Sequence, residues 1–195
     1  HENNYYYYKG EKLYLDIDYT RMSVVTTERM SAKSLRSSGT ELKIQNEAES
    51  HTRSLTVPIV QPMKKAMEIP LYTANVELST EATPADYVKQ MNSFRANKNV
   101  LHVSPAYTYR GKRMGLSDNF YVKLHNAEDI GMLCDLADKH SIEVLGHNKF
   151  MPLWIILSCN TVSTYNAIEA ANAFYETGLF ETTEPEFLYL DPYHT

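Results

Sequence analysis

The residues of this chain that could do chemistry are seven histidines, twenty-four acidic side chains, two cysteines and a run of four tyrosines, and their spacing argues against most chemistries. Zinc hydrolysis needs two imidazoles one helical turn apart, as in H-E-x-x-H. His102, His125, His140 and His147 are never so paired, and they read as surface histidines rather than metal ligands. Nucleophilic hydrolysis needs an activated Ser or Cys, a base and an oxyanion hole. The chain has no G-x-S-x-G, and its seven glycines are few for a loop-built site. No G-x-G-x-x-G or G-x-x-x-x-G-K offers a phosphate cradle. The adjacent pair Glu128 and Asp129 reads as the first turn of a helix, where the dipole favours acids, rather than as carboxylates flanking a cleft. Cys134 and Cys159 form no C-x-x-C; two buried thiols, one disulfide and a reactive thiol all stay open. Tyr5 to Tyr8 could stack on a sugar, although alternation in an amphipathic hairpin explains them with less. On its motifs the chain reads as a non-enzyme, with no cofactor and no metal.

Composition narrows the partners. Over 195 residues the chain is 43% hydrophobic and 22% charged, which is globular and enough for one domain or two small ones. A net charge of −5 disfavours nucleic acid, which needs a basic footprint. No stretch reaches the ~20 apolar residues that span a bilayer, so no transmembrane segment is expected. The sequence starts at His1 rather than Met and reads as a processed or trimmed product.

Any site must be positioned by elements that the pattern places as follows. "YYYY", a Lys9-Gly10 turn and "EKLYLDID" make an N-terminal hairpin, with "RMSVVTT" a further strand at 21–27. Residues 28–56 are polar and Ser-rich, read as a short helix around Ala32 to Ser37 and then a long loop. A strand is expected at about 69–79. Thr83-Pro84 then starts a helix with Tyr87, Val88, Met91 and Phe94 as its stripe. A strand at 100–109 leads to a polar, glycine-marked connection at 110–117. The rest reads strand (119–125), helix capped by Asn126 with Asp129, strand ("IEVLGHN"), strand ("LWIILSC"), helix capped by Asn166 with Glu169 and stopped at Gly178, and a final extended segment at 180–190. The order β-α-β-β-α-β is the ferredoxin-like one. A weak repeat of strand, helix and strand links "NVELSTEATPADYVKQM" with "YVKLHNAEDIGMLCDL". The chain is therefore read as α+β, in two small domains. Residues 1–115 form a related α/β sandwich with the tyrosine-rich hairpin, and residues 116–195 a ferredoxin-like unit with an extended tail.

The wording of the second half is familiar. "NVLHVSPAY", "NFYVKLHNAEDIGMLCDLADKHSIEVLGHNKFMPLWIILSC" and above all "NAIEAANAFYETGLFETTEPEF" resemble the N-terminal prodomain of bacterial subtilisin-like serine proteases. The opening "YYYYKGEK" is similar too, and the likeness fails mainly over residues 28–65. The resemblance implies a ferredoxin-like module, secreted or in the cell envelope, that assists the folding of a protease and inhibits it. In the family, Asp, His and Ser motifs of a catalytic domain follow the "EPEF" strand; this chain carries no such triad.

Two surfaces then matter. Leu153 to Leu157 are apolar without a break, so the strand is apolar on both faces. If Leu153, Ile155 and Leu157 face the helices, Trp154 and Ile156 face away. The resemblance makes that face the one that docks on the protease, and the alternative is cover by the first domain. It also implies that Leu188, Tyr189, Leu190, Asp191, Pro192 and Tyr193 enter the protease cleft by strand addition. Two rival readings stand beside this one. A ferredoxin-like small-ligand or regulatory module would show a polar pocket between the halves. A structural cell-envelope protein would use the tyrosines for contacts.

Overall fold

The computed structural model describes residues 4–26, 42–50, 56–57, 71–78, 83–160 and 162–189. The hairpin forms as expected: β1 (Tyr5–Tyr8) pairs antiparallel with β2 (Glu11–Tyr14), Tyr8 opposite Glu11. Its two-residue loop needs positive φ at both positions, and Lys9 (φ 49°) and Gly10 (φ 80°) supply it.

The second half builds its sheet from β8 (Lys112–Lys123), β9 (Glu143–Asn148), β10 (Trp154–Ser158) and β11 (Thr182–Tyr189). The strands lie in the order β11-β8-β10-β9, all antiparallel. Two helices complete the unit. One is α2 (Ile130–Lys139), entered through a 3₁₀ turn at Ala127–Asp129, and the other is α3 (Ala167–Glu176). Fourth, first, third, second is the ferredoxin-like strand order, and the fold is α+β.

The same order recurs in the first half. Here β3 (Asp16–Thr26), β4 (Leu42–Ser50), β6 (Leu71–Leu78) and β7 (Val100–Tyr109) lie as β7-β3-β6-β4, with α1 (Pro84–Arg95) between β6 and β7. The expected helix at Ala32 to Ser37 lies outside the described residues. A short β5 (Thr56–Val57) pairs with the edge of β9.

Four expectations need correction. Residues 42–50, read as loop, form β4. It is an edge strand rich in polar residues, so the apolar alternation that announces inner strands is missing. The connection at 110–117 shrinks to the turn Arg110-Gly111 (φ 48° and 76°), and β8 starts at Lys112 opposite Tyr109. Met114, Gly115, Leu116 and Ser117 are all buried, because β8 is a central strand there. Small and polar types mimic a loop while fitting a crowded sheet interior. The junction placed near residue 115 accordingly falls inside β8, and one sheet runs through both halves. Val88 is 55% exposed, off the stripe that Tyr87, Met91 and Phe94 bury.

Each half still has its own core. Met22, Val24, Val76, Tyr87, Met91 and Phe94 form the first, and the Tyr87 hydroxyl ties α1 to the sheet by donating to the Arg21 carbonyl (2.5 Å) and accepting from the Ala106 amide (3.3 Å). Phe120, Val122, Leu133, Ile155, Leu157 and Phe174 centre the second, which also takes in Leu15 and Tyr107 from the first half. Phe120 and Phe174 meet edge-on at 5.3 Å between ring centres.

Candidate functional site

Strand register settles which way β10 points. Ile155 lies opposite Val122 and Leu157 opposite Phe120, and these side chains join the core under α2 and α3. Trp154 and Ile156, opposite Lys123 and Tyr121, therefore point to the face away from the helices. The two differ there. Trp154 is half-buried, whereas Ile156 is only 7% exposed and is covered within the chain. Around them the Tyr121 hydroxyl donates to the Glu186 carboxylate, and Lys123 Nζ meets Glu181 Oε1 at 3.1 Å. Burial, then the bond to Glu186, holds the Tyr121 hydroxyl above its ordinary range.

Further along β8 lies a residue that spacing did not single out. Asp118 accepts from Ser158 Oγ (3.2 Å) and Ser117 Oγ (3.3 Å). Burial lifts its carboxyl to about 6 despite those bonds.

The expected tail begins where β11 ends. Leu188 is half-buried and pairs with Gly115, and Tyr189 pairs with Met114. Leu190, Asp191, Pro192 and Tyr193 lie outside the described residues. Among the described strands β11 pairs only with β8, which leaves it a sheet edge.

The tyrosine hairpin turns inward. Tyr6 packs on Phe187 at 5.0 Å and Tyr7 on Tyr175 at 4.3 Å between ring centres. The Tyr5 and Tyr7 hydroxyls both donate to Glu176 Oε1 (2.7 and 2.9 Å), and Asn172 Nδ2 donates to the Tyr5 carbonyl at 2.6 Å. Tyr8 and Tyr14 remain exposed. Cys159 is buried, Cys134 is half-buried, and both are free thiols that burial pushes up.

A second place was not legible in the spacing of residues. Where the halves meet, a cavity of about 400 Å³ opens between the end of α1, strand β7 and the connection from β10 into α3. Arg95 and His102 line it from the first half, and Asn160, Thr164, Tyr165 and Glu169 from the second. His102 is 3% exposed, and its Nε2 has no hydrogen-bond partner among the described residues. Burial, then the nearby Arg95, lowers its pKa to about 4, so the imidazole is neutral at pH 7. The loop wall is pinned by Ser163 Oγ, which accepts from the Asn160 amide (2.9 Å) and donates to the Ser141 carbonyl (2.7 Å). A capping box fixes the α3 end, with Asn166 Oδ1 accepting from the Glu169 amide (2.9 Å) and Glu169 Oε1 from the Asn166 amide (3.1 Å). Among the described residues no group of three or more His, Cys, Asp or Glu is arranged to hold a metal.

The strand orders define a class: paired ferredoxin-like α+β units sharing one sheet. No family model and no curated protein matches the chain. Among solved structures it is similar to the acetolactate synthase small subunit from Thermotoga maritima, at 8% identity over 87% of this chain and 96% of that one, with a TM-score of 0.29. A likeness at that score carries no argument about function.

Proposed function

We propose that this chain is a non-catalytic, prodomain-like module that docks on a subtilisin-like serine protease, inhibits it and assists its folding, outside the cell or in its envelope. The observation that carries the reading is the one-sided second half. Both of its helices join the core on one face of the sheet, while Trp154 stands part-exposed on the other. That face is bounded by β11, an edge strand that leads straight into the residues expected in a protease cleft. The sequence likeness supplies the partner's class. A ferredoxin-like sheet can lay such a face on a partner, and an extended segment beyond an edge strand can add to a partner's backbone. Ile156, already covered, offers a partner little surface.

Trp154 is the chain's one tryptophan, which makes it a built-in reporter. With 5-fluorotryptophan incorporated, its single ¹⁹F resonance should shift when an active-site-blocked subtilisin-like protease is added in excess. A resonance unmoved by every protease that the chain inhibits would remove the sheet face from the proposal.

A further inference from the structure

Of the six phenylalanines in the chain, four are buried in the two cores and Phe187 packs partly buried against the second. Phe150 is 76% exposed. Met151 beside it is 51% exposed, and the two are the only adjacent pair of exposed large apolar side chains among the described residues. They stand at the tip of the turn from β9 to β10. A solitary exposed apolar residue asks for no explanation, but a firmly held pair of this size does.

The backbone of this turn is tied down. Asn148 Oδ1 accepts from the Phe150 amide (2.9 Å) and from the Met151 amide (3.2 Å), and the Trp154 amide donates to the Met151 carbonyl (3.0 Å). Both stems are held, Asn148 opposite Thr56 of β5 and Trp154 opposite Lys123 of β8. The Leu124 amide also donates to the Leu153 carbonyl at 2.8 Å. The turn thus satisfies its own polar groups while it holds two apolar side chains out in water. Such a loop has little ordering entropy left to lose on binding, which suits an interface anchor.

The amount of apolar surface decides what the tip fits. One myristoyl chain alone gives only marginal membrane binding, and Phe150 with Met151 bury less than that. A net charge of −5 adds no attraction to anionic lipid. Two side chains also fall far short of the roughly 800 Å² a side that a stable dimer takes. The tip therefore serves a larger surface, and the one it runs into is the strand of Trp154, whose amide closes the turn on Met151. We propose that Phe150 and Met151 anchor the docking surface, with Phe150 entering an apolar pocket on the protease outside its substrate cleft. This inference rests on the protease reading above. The pocket lies outside the cleft because β11 runs out at the other end of the sheet: Tyr189 pairs with Met114 and Trp154 with Lys123, roughly 25–30 Å apart along β8. Contact is made at two points, the tail and the anchor.

The test sets the full chain against a panel of subtilisin-like proteases and compares the parent with Phe150→Ala, Met151→Ala and Val162→Ala. Val162 is as exposed, at 75%, and lies on the connection from β10 to α3. All three side chains stand in water, so each variant should keep the parent's thermal midpoint within about 2 °C. Phe150→Ala should weaken inhibition by roughly tenfold or more, and Met151→Ala by roughly three- to tenfold. Val162→Ala should leave it within about twofold of the parent. A Phe150→Ala chain that inhibits as the parent does overturns the anchor and leaves the docking reading standing. A parent that inhibits no protease in the panel takes down both. The same chains are tested on vesicles of phosphatidylcholine with phosphatidylglycerol, and by sedimentation at high chain concentration. Vesicle binding, or a dimer, that Phe150→Ala abolishes would give the tip to another occupant and overturn the proposal.

Discussion

The two halves share a strand order and differ in what they leave open. The first half, under α1, closes its core with Tyr87, Met91 and Phe94, and its unusual feature is a neutral histidine buried at the junction. The second half, under α2 and α3, draws in Leu15 and Tyr107 as well as the tyrosine hairpin, and leaves its far sheet face to Trp154. Each half also buries a titratable group whose pKa moves in the direction burial dictates, His102 down and Asp118 up. The lesson is that one topology, used twice, separates an inward-looking polar junction from a sheet face left part-exposed at Trp154.

The largest effect should come from the second core. Phe174 is fully buried against Phe120, so Phe174→Ala should cost about 3–5 kcal/mol in urea unfolding. A loss under about 1 kcal/mol would mean that the core does not rest on this pair.

Next comes a comparison in opposite directions. His102 has a pKa of about 4 in the folded chain against 6.5 in the unfolded one, so the unfolded state binds the extra proton between those values. Its contribution is present above pH 6.5 and is lost as pH falls towards 4, by up to about 3 kcal/mol. Asp118 works the other way. With its carboxyl raised from 3.8 to about 6, its contribution is present at pH below 3.8 and is lost as pH rises through 6. The two nearly offset each other in between. Asp118→Asn should therefore expose a steep acid loss, and His102→Gln a chain that gains stability on acidification from pH 6. Parallel slopes in the two variants, by denaturant titration at several pH values, would break the pairing.

How far the sequence foretold this molecule depends on the distance between the residues involved. Signals carried by neighbours were legible. Thr83 before Pro84, Asn126 with Asp129, Asn166 with Glu169 and Gly178 at φ 72° all end helices where expected. The alternation in β10 placed Trp154 correctly, because a strand's period leaves no choice of face. What failed depended on partners far along the chain. β4 is held by its backbone pairing with β6, so its polar side chains carried no apolar period. Residues 114–117 look like loop until β7 and β11 are set on either side. The pocket joins Arg95 and His102 to residues near 165, and nothing in local spacing announces such a meeting. Cover over Ile156 is likewise a tertiary property.

Smaller effects sharpen the comparison. Asn166→Ala removes the α3 capping box and should cost about 1 kcal/mol in denaturant unfolding, while also loosening the pocket wall. Val88→Ser, on the exposed side of α1, should change stability by no more than about 0.5 kcal/mol in the same assay. A larger cost would show that α1 packs on more than the first core.

The most direct test of the central claim is inhibition of a panel of subtilisin-like proteases by the full chain and by a chain ending at Tyr189. The account predicts that the full chain inhibits at least one of them and that removing residues 190–195 weakens the inhibition by roughly tenfold or more, as the lost strand addition requires. No inhibition by the full chain, at concentrations well above every protease in the panel, would contradict it.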